Sequence, residues 1–266
     1  MLMTKVRTIS FFFFLFYFSA NFLVQNCFAQ RQISIPQFTT LDEKVKFYKE
    51  LFKVDSLNNK ITNNTGDGFD ELYGTRNMRT ILYGIAYRGG ANNFYHKINK
   101  RANNNPLPED GLQHLCNLGF TEAIYLYSKN FSTSKHLFYN KDSTHTLKYQ
   151  MNTLNNKESL REVLEMVLER IKNPSLGPMY VHCWNGWHQA GYISAVILMQ
   201  FCSFTNEEAL KYWIANTDGN NKGYDNIKKK ILDFVPFPDL KISKEIAKKI
   251  CPCNNVKKIV KNTNCN

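Results

Sequence analysis

Residues 179 to 198 constrain the fold more than any other stretch of this chain. An apolar run, Met179-Tyr180-Val181, ends at His182-Cys183. A loop with a central glycine follows, Trp184-Asn185-Gly186-Trp187-His188, and Gln189-Ala190-Gly191 opens a second apolar run from Tyr192 to Leu198. A strand that enters a short loop and leaves as a helix turns successive backbone N–H groups toward one point, where the helix N-terminus adds partial positive charge. The field that holds an anion in such a place also favours a thiolate over a thiol. The segment reads as an anion cradle with Cys183 as its nucleophile.

The rest of the chain supplies the scaffold. Val45, Phe47, Tyr48, Leu51 and Phe52 fall at helical spacing after Leu41-Asp42 and predict an amphipathic helix packed on the outside of the domain. Asn58 to Gly68 is an Asn-rich turn, residues 92 to 108 are a loop ahead of a helix at Glu109, and Lys129 to Thr146 reads as a loop or small insertion. Asn155-x-x-Glu158 predicts a capping box for a helix whose apolar face is Leu160, Val163, Leu164, Val167 and Ile171. Asn173-Pro174 stops that helix, and Gly177-Pro178 turns the chain into the strand at Met179. Thr205-x-x-Glu208 caps the next helix, and a last one carries Ile227, Ile231 and Phe234. Strands alternating with helices predict an α/β fold, a central mixed or parallel sheet flanked by helices. The divisions expected are 1–29, a signal peptide; 30–70, a leader with the amphipathic helix; 71–240, the main domain; and 241–266, a basic tail containing cysteines.

The first of these divisions rests on Lys5 and Arg7, an apolar stretch from Ile9 to Val24, and small residues at Cys27 and Ala29 ahead of Gln30. That is a secretory leader cut after Ala29, and it predicts a secreted or periplasmic protein with no membrane span after cleavage. The formal net charge is +12, of which the leader holds only Lys5 and Arg7, so +10 remains. A basic surface favours anionic partners without choosing among them. No run interleaves arginines with aromatics as a nucleic-acid groove does, so no nucleic acid is expected. Cys251, Cys253 and Cys265 suit a disulfide in an oxidising compartment, with connectivity open, and no tail histidine completes a metal site. Cys116 and Cys202 sit in apolar helical patterns and read as inert core residues.

The segment His182-Cys183 through Gln189 resembles the signature loop of the protein tyrosine and dual-specificity phosphatase superfamily, His-Cys-x5-Arg followed by Ser or Thr. Gly186 stands at the family's loop glycine, while Gln189 takes the arginine position and Ala190 the hydroxyl position. The resemblance extends to Met78–Arg88 with Gly89-Gly90 as an opening strand pair, to Leu112–Phe120 with Ala123–Leu126 as a helix–turn–strand unit, and on to Ile231. It implies a cysteine-phosphatase-like fold, a phosphocysteine intermediate on Cys183, and a phosphorylated protein or small phosphate ester as partner, without a cofactor. In the family an aspartate upstream protonates the leaving oxygen. Here that place holds Asn152, Asn155 and Asn156, and Asp142 lies further upstream.

The phosphate-binding set is therefore Trp184, Asn185, Gly186, Trp187, His188 and Gln189, with His182 orienting the loop by hydrogen bonding. Two readings stand for His188: a protonated substitute for the missing arginine, beside Cys183 in the chemistry, or a surface histidine. Trp184 and Trp187 either line a pocket wall or pack. Arg76, Arg79 and Arg88 could reach an anion from elsewhere in the chain, but structural ion pairs are the favoured reading for them. Losing one preorganised donor costs roughly 10²–10³ in rate, and losing the general acid roughly a further 10²–10⁴. Three functions follow: a cysteine-dependent phosphatase, a pseudophosphatase that binds a phosphorylated or anionic ligand, and other thiol-based hydrolase or transferase chemistry.

Overall fold

The structure is a computed structural model in which residues 33–252 are described. The leader, its cleavage site, and Cys253 and Cys265 of the tail lie outside the described residues. Among those described, no helix is long and apolar enough to cross a membrane.

Helix α1 (Leu41–Phe52) begins at Thr40, whose side chain accepts from the Glu43 N–H while Glu43 reaches back to the Thr40 N–H. It buries Val45, Tyr48 and Phe52, and also Lys44. The Lys44 Nζ donates to the Arg170 and Leu176 carbonyls at 3.0 and 2.7 Å. Burial, with Arg170 nearby, brings its pKa down to about 7.

The sheet has six strands: β1 (Thr75–Leu82), β2 (Ala86–Ala91), β3 (Glu122–Tyr125), β4 (Leu137–Tyr139), β5 (Thr146–Met151) and β6 (Met179–Cys183). Their order is β1-β2-β6-β3-β5-β4. The inner pairs are parallel and the two edge pairs antiparallel, so the sheet is mixed. Strand β6 is central and every one of its residues is buried, as its apolar composition requires of a strand covered on both faces. β4 falls where the sequence reads as irregular loop. Only Phe138 of its three residues is buried, too short a pattern for alternation to show.

The helices that follow are α2 (Glu109–Asn117), α3 (Lys157–Lys172), α4 (Gln189–Phe201), α5 (Asn206–Ala215), α6 (Asp225–Leu232) and α7 (Lys244–Ile250). α3 does have a capping box, but one residue later than its sequence suggests: Asn156 caps and Ser159 answers. The Thr205–Glu208 box of α5 is as expected. Every residue of α4 except Gln189 is buried. Phe234 lies beyond the end of α6.

The expected basic tail contains ordered structure. Its helix α7 ends at Ile250, whose carbonyl accepts from the Tyr83 N–H, and Cys251 is bonded to Cys202 at the end of α4. Cys202 is therefore not a free core thiol. The connection 235–243 is held by Gln200 of α4, which donates to the Phe237 and Leu240 carbonyls and accepts from the Phe237 N–H. These contacts bring Cys251 to Cys202, a pairing that residue spacing alone does not indicate.

Candidate functional site

The edge of β1 is irregular in a way that shapes the site. Arg76 pairs with Gly90 and Arg79 with Arg88, so β1 carries one extra residue between them. Asn77 absorbs it in the left-handed region, φ 51°. Such a bulge re-aims side chains. Residues opposite one another in an antiparallel pair share a face, and Arg88 and Gly90 are two apart, so Arg76, Arg79 and Arg88 all stand on one face of the sheet.

The loop after Cys183 lies on this part of the sheet. Gly90 leaves it room: a Cβ there would sit 2.5 Å from the Asn185 carbonyl carbon and 2.7 Å from the Gly186 nitrogen. A Cβ on Gly186 would meet the Gly89 carbonyl carbon at 2.6 Å and the Gly90 nitrogen at 2.8 Å, and its φ of 81° is a conformation glycine adopts without penalty. The Ala91 N–H donates to the Trp184 carbonyl and the Asn77 side chain to the Asn185 carbonyl. The loop's carbonyls are thus occupied while its amides are not. Among the described residues, no backbone N–H from Trp184 to Gly191 donates to a protein acceptor. The last three are ordinary for the start of a helix. Those of Trp184 to His188 are not, and successive free amides are what an anion site requires.

Cys183 is a free thiol, 3% exposed. His182 before it is wholly buried and stacked on Tyr125, Tyr149 and Tyr180. The Tyr149 hydroxyl accepts from the Leu107 N–H, which leaves its proton for His182 Nε2 at 2.9 Å. The ring proton is therefore on Nδ1, which donates to the Cys183 carbonyl at 3.2 Å. Burial holds this imidazole neutral, its pKa pushed down to about 4 against a slight opposing effect of that carbonyl. His182 is thus hydrogen-bonded to the carbonyl at which the loop begins and is uncharged at neutral pH. Because protons bind the unfolded chain more tightly than this buried ring, its contribution is full above about pH 6.5 and is lost as the pH falls from 6.5 toward 4. We expect a loss of roughly 3 kcal/mol over that window, read as a falling thermal midpoint, with a flatter profile in His182→Asn. Equal slopes in the two proteins would contradict the assignment.

Three arginines surround the loop. Arg88, fully buried, donates to the Gly186 carbonyl, to the Tyr212 hydroxyl at 3.2 Å and to the Asn216 carbonyl at 3.4 Å. Arg79 pairs with Asp218 at 3.5 Å. Arg76, 5% exposed, donates from Nη1 to Asn185 Oδ1 at 3.2 Å. Ion pairing accounts for Arg79 alone: among the described residues neither Arg76 nor Arg88 meets a carboxylate. Asp218 also accepts from Lys60 at 2.9 Å and from Trp187 Nε1 at 3.0 Å. Partial burial raises the Asp218 pKa, but Lys60, Arg79 and Trp187 outweigh it and hold the carboxyl below its ordinary value.

The other residues named from the sequence divide. Trp184 packs: its Nε1 donates to the Tyr125 hydroxyl at 2.7 Å and its ring stacks on Tyr127. Trp187 stands at the rim, between Asp218 and Arg76. Asn185 is pinned by Asn103 and Arg76. His188 is the N-cap of α4, with Nε2 donating to the Asn220 carbonyl at 2.7 Å and its ring stacked on Tyr224. Burial lowers its pKa, and Arg88 adds to the effect against the Asn220 bond. The ring is turned to Asn220 and Tyr224, and its burial disfavours the charged form. Gln189 opens α4 with no side-chain hydrogen bond among those described. Asp142 is on the exposed β4–β5 turn, and Asn152 and Asn156 serve the start of α3. Tyr95, Asn103 and Asp218 carried no sequence signal: Asn103 reaches Asn185 from 82 positions before it, Asp218 reaches Trp187 from 31 positions after it, and Tyr95 meets Arg76 rather than the loop itself.

No family model matches the chain, and no curated protein sequence does. Among the solved structures that align with it are three phosphatases. The core catalytic domain of the PP-IP phosphatase SIW14 from S. cerevisiae, in complex with citrate, is 15% identical with a TM-score of 0.39, over 60% of this chain and 85% of that one. A glycine-to-alanine mutant of Tk-PTP is 15% identical with a TM-score of 0.37, over 56% and 91%. Kinase associated phosphatase, with its catalytic cysteine replaced by serine, is 10% identical with a TM-score of 0.36, over 56% and 89%. The chain is similar to phosphatase structures. Overlaps this loose say nothing of individual residues or of the reaction.

Proposed function

We propose that this protein binds a phosphate ester in the loop from Cys183 to Gln189 and transfers its phosphoryl group to the Cys183 sulfur. One observation carries the reading: two buried arginines without carboxylate partners flank a loop of unpaired amides that begins at a free thiol. Buried charge is costly unless it is paired, and a phosphate dianion would pair it. The sulfur forms a bond to phosphorus as the bond to the ester oxygen breaks, and that oxygen leaves with the electron pair. Water then attacks phosphorus, the thiolate departs, and inorganic phosphate is released. In both steps negative charge gathers on the equatorial oxygens, where amide donors stabilise it most.

The proton for the leaving oxygen is the weak point of this site. Asp218 is held ionised by its three donors, so it is not a general acid. The substrates favoured are those whose leaving group departs as a stable anion, an aryl phosphate before an alkyl one. The same lack of a proton donor favours the second reading, a module that binds a phosphorylated ligand without turning it over. An exported setting is supported by the Cys202–Cys251 disulfide, a bond suited to oxidising compartments.

The test is alkylation of the intact chain by iodoacetamide at pH 7, resolved by peptide mass. Cys116 is a built-in control: burial pushes its thiol up to about 11 against a weak backbone bond. We expect labelling at Cys183 that inorganic phosphate suppresses. Labelling at Cys183 that phosphate leaves unchanged would set the sulfur apart from any anion site and favour other thiol chemistry.

A further inference from the structure

The reading of the Cys183 loop as an anion site leaves open what grips the anion where Gln189 brings no charge, and the following rests on that reading. We infer that Arg76, on β1 and outside the loop, is the guanidinium that holds the equatorial oxygens of the bound phosphate ester.

The bulge at Asn77 sets Arg76 on the loop's face of the sheet. The register runs Arg76–Gly90–Cys183 straight across β1, β2 and β6, and the residue between the arginine and the cysteine has no side chain. Arg76 and the sulfur are close enough to interact electrostatically, more strongly than Arg76 does with Asp218, which forms no ion pair with it. A guanidinium carries five N–H donors. This one spends a single bond on Asn185, and its buried Nε has no partner. Its centre lies 5.1 Å from the Tyr95 ring and 5.8 Å from the Trp187 ring, so two aromatic faces hold it in place.

The other two arginines on this face are already committed. Arg88 divides its donors among Gly186, Tyr212 and Asn216 and braces the loop from behind. Arg79 is neutralised by Asp218. Nε lacks a partner in all three, but of the three only Arg76 also keeps an Nη nitrogen with no protein partner among the described residues while meeting no carboxylate within ion-pair distance. Its one partner, Asn185, is also held by Asn103 at 2.6 Å, so Asn185 keeps its place if the arginine turns to a ligand.

The experiment titrates inorganic phosphate into the full chain by calorimetry, for wild type, Arg76→Gln, Arg76→Lys and the double variant Arg76→Gln with Gln189→Arg, with thermal melts alongside. Arg76→Gln is expected to weaken phosphate binding roughly 10–100-fold. Arg76→Lys, a point charge in place of a fork, should fall between. The double variant should recover most of the affinity, which a merely structural Arg76 would not allow. Should Arg76→Gln fail to fold, a weakened but folded Arg76→Lys carries the same support. Wild type that binds no phosphate would overturn the loop reading and this inference together. Wild type and a folded Arg76→Gln that bind alike would overturn this inference alone, as would a loss that Gln189→Arg leaves unrepaired.

Discussion

Cys183→Ser removes hydrolysis of an aryl phosphate and leaves phosphate binding in place. The loop's free amides and Arg76 are untouched by exchanging sulfur for oxygen, and thermal melts of the two proteins show what the buried hydroxyl costs the fold. A serine hydroxyl here has no neutral-pH base beside it, since His182 offers its Nε2 lone pair only to Tyr149 and His188 is turned to Asn220. Losing a nucleophile in a site that acts as a unit costs on the order of 10⁴ or more in turnover. Steady-state release of the phenol, with phosphate affinity measured in parallel, checks it. Equal turnover in both proteins would place the chemistry elsewhere, and no turnover in either with phosphate still bound would make the protein a binding module.

Reduction of the Cys202–Cys251 bond lowers the melting midpoint by roughly 10 °C. The bond spans 49 residues, and closing a loop of that length in the unfolded chain corresponds to about 4 kcal/mol by chain entropy. A domain of this size shifts by about 2–4 °C per kcal/mol. The bond ties α7 to the end of α4, the helix that carries the Cys183 loop at its other end. Calorimetric melts of the oxidised chain, the reduced chain and Cys251→Ser check it. Superimposable melts would mean that the contacts of Gln200 with residues 237 and 240 already fix this corner.

The parts of the architecture legible in the sequence are those with strong local patterns. The strand–loop–helix around Cys183, the all-round apolar α4 and the Thr205–Glu208 cap follow from neighbours within a few residues, and each is present. β4 was not legible, because three residues with one buried side chain carry no period. Nor was the partner of Cys251, because that pairing depends on how the connection from Phe237 to Leu240 packs on α4. At the site, local reading identified the sulfur, the loop glycine and the absent arginine. For the missing charge it weighed the adjacent His188 and the distant Arg76, Arg79 and Arg88 without singling one out, because Arg76 stands 107 positions before Cys183 and is turned onto the loop's face by an extra residue in β1. A bulge that depends on Asn77 in the left-handed region leaves no mark that a spacing rule detects.

A crystal structure of the full chain grown with tungstate or phosphate is the decisive observation. It should show the oxyanion seated over Cys183, its oxygens within hydrogen-bond distance of the amides between Trp184 and Gln189, and Arg76 turned toward it. A saturated crystal with those amides still empty and the oxyanion bound elsewhere would contradict the account.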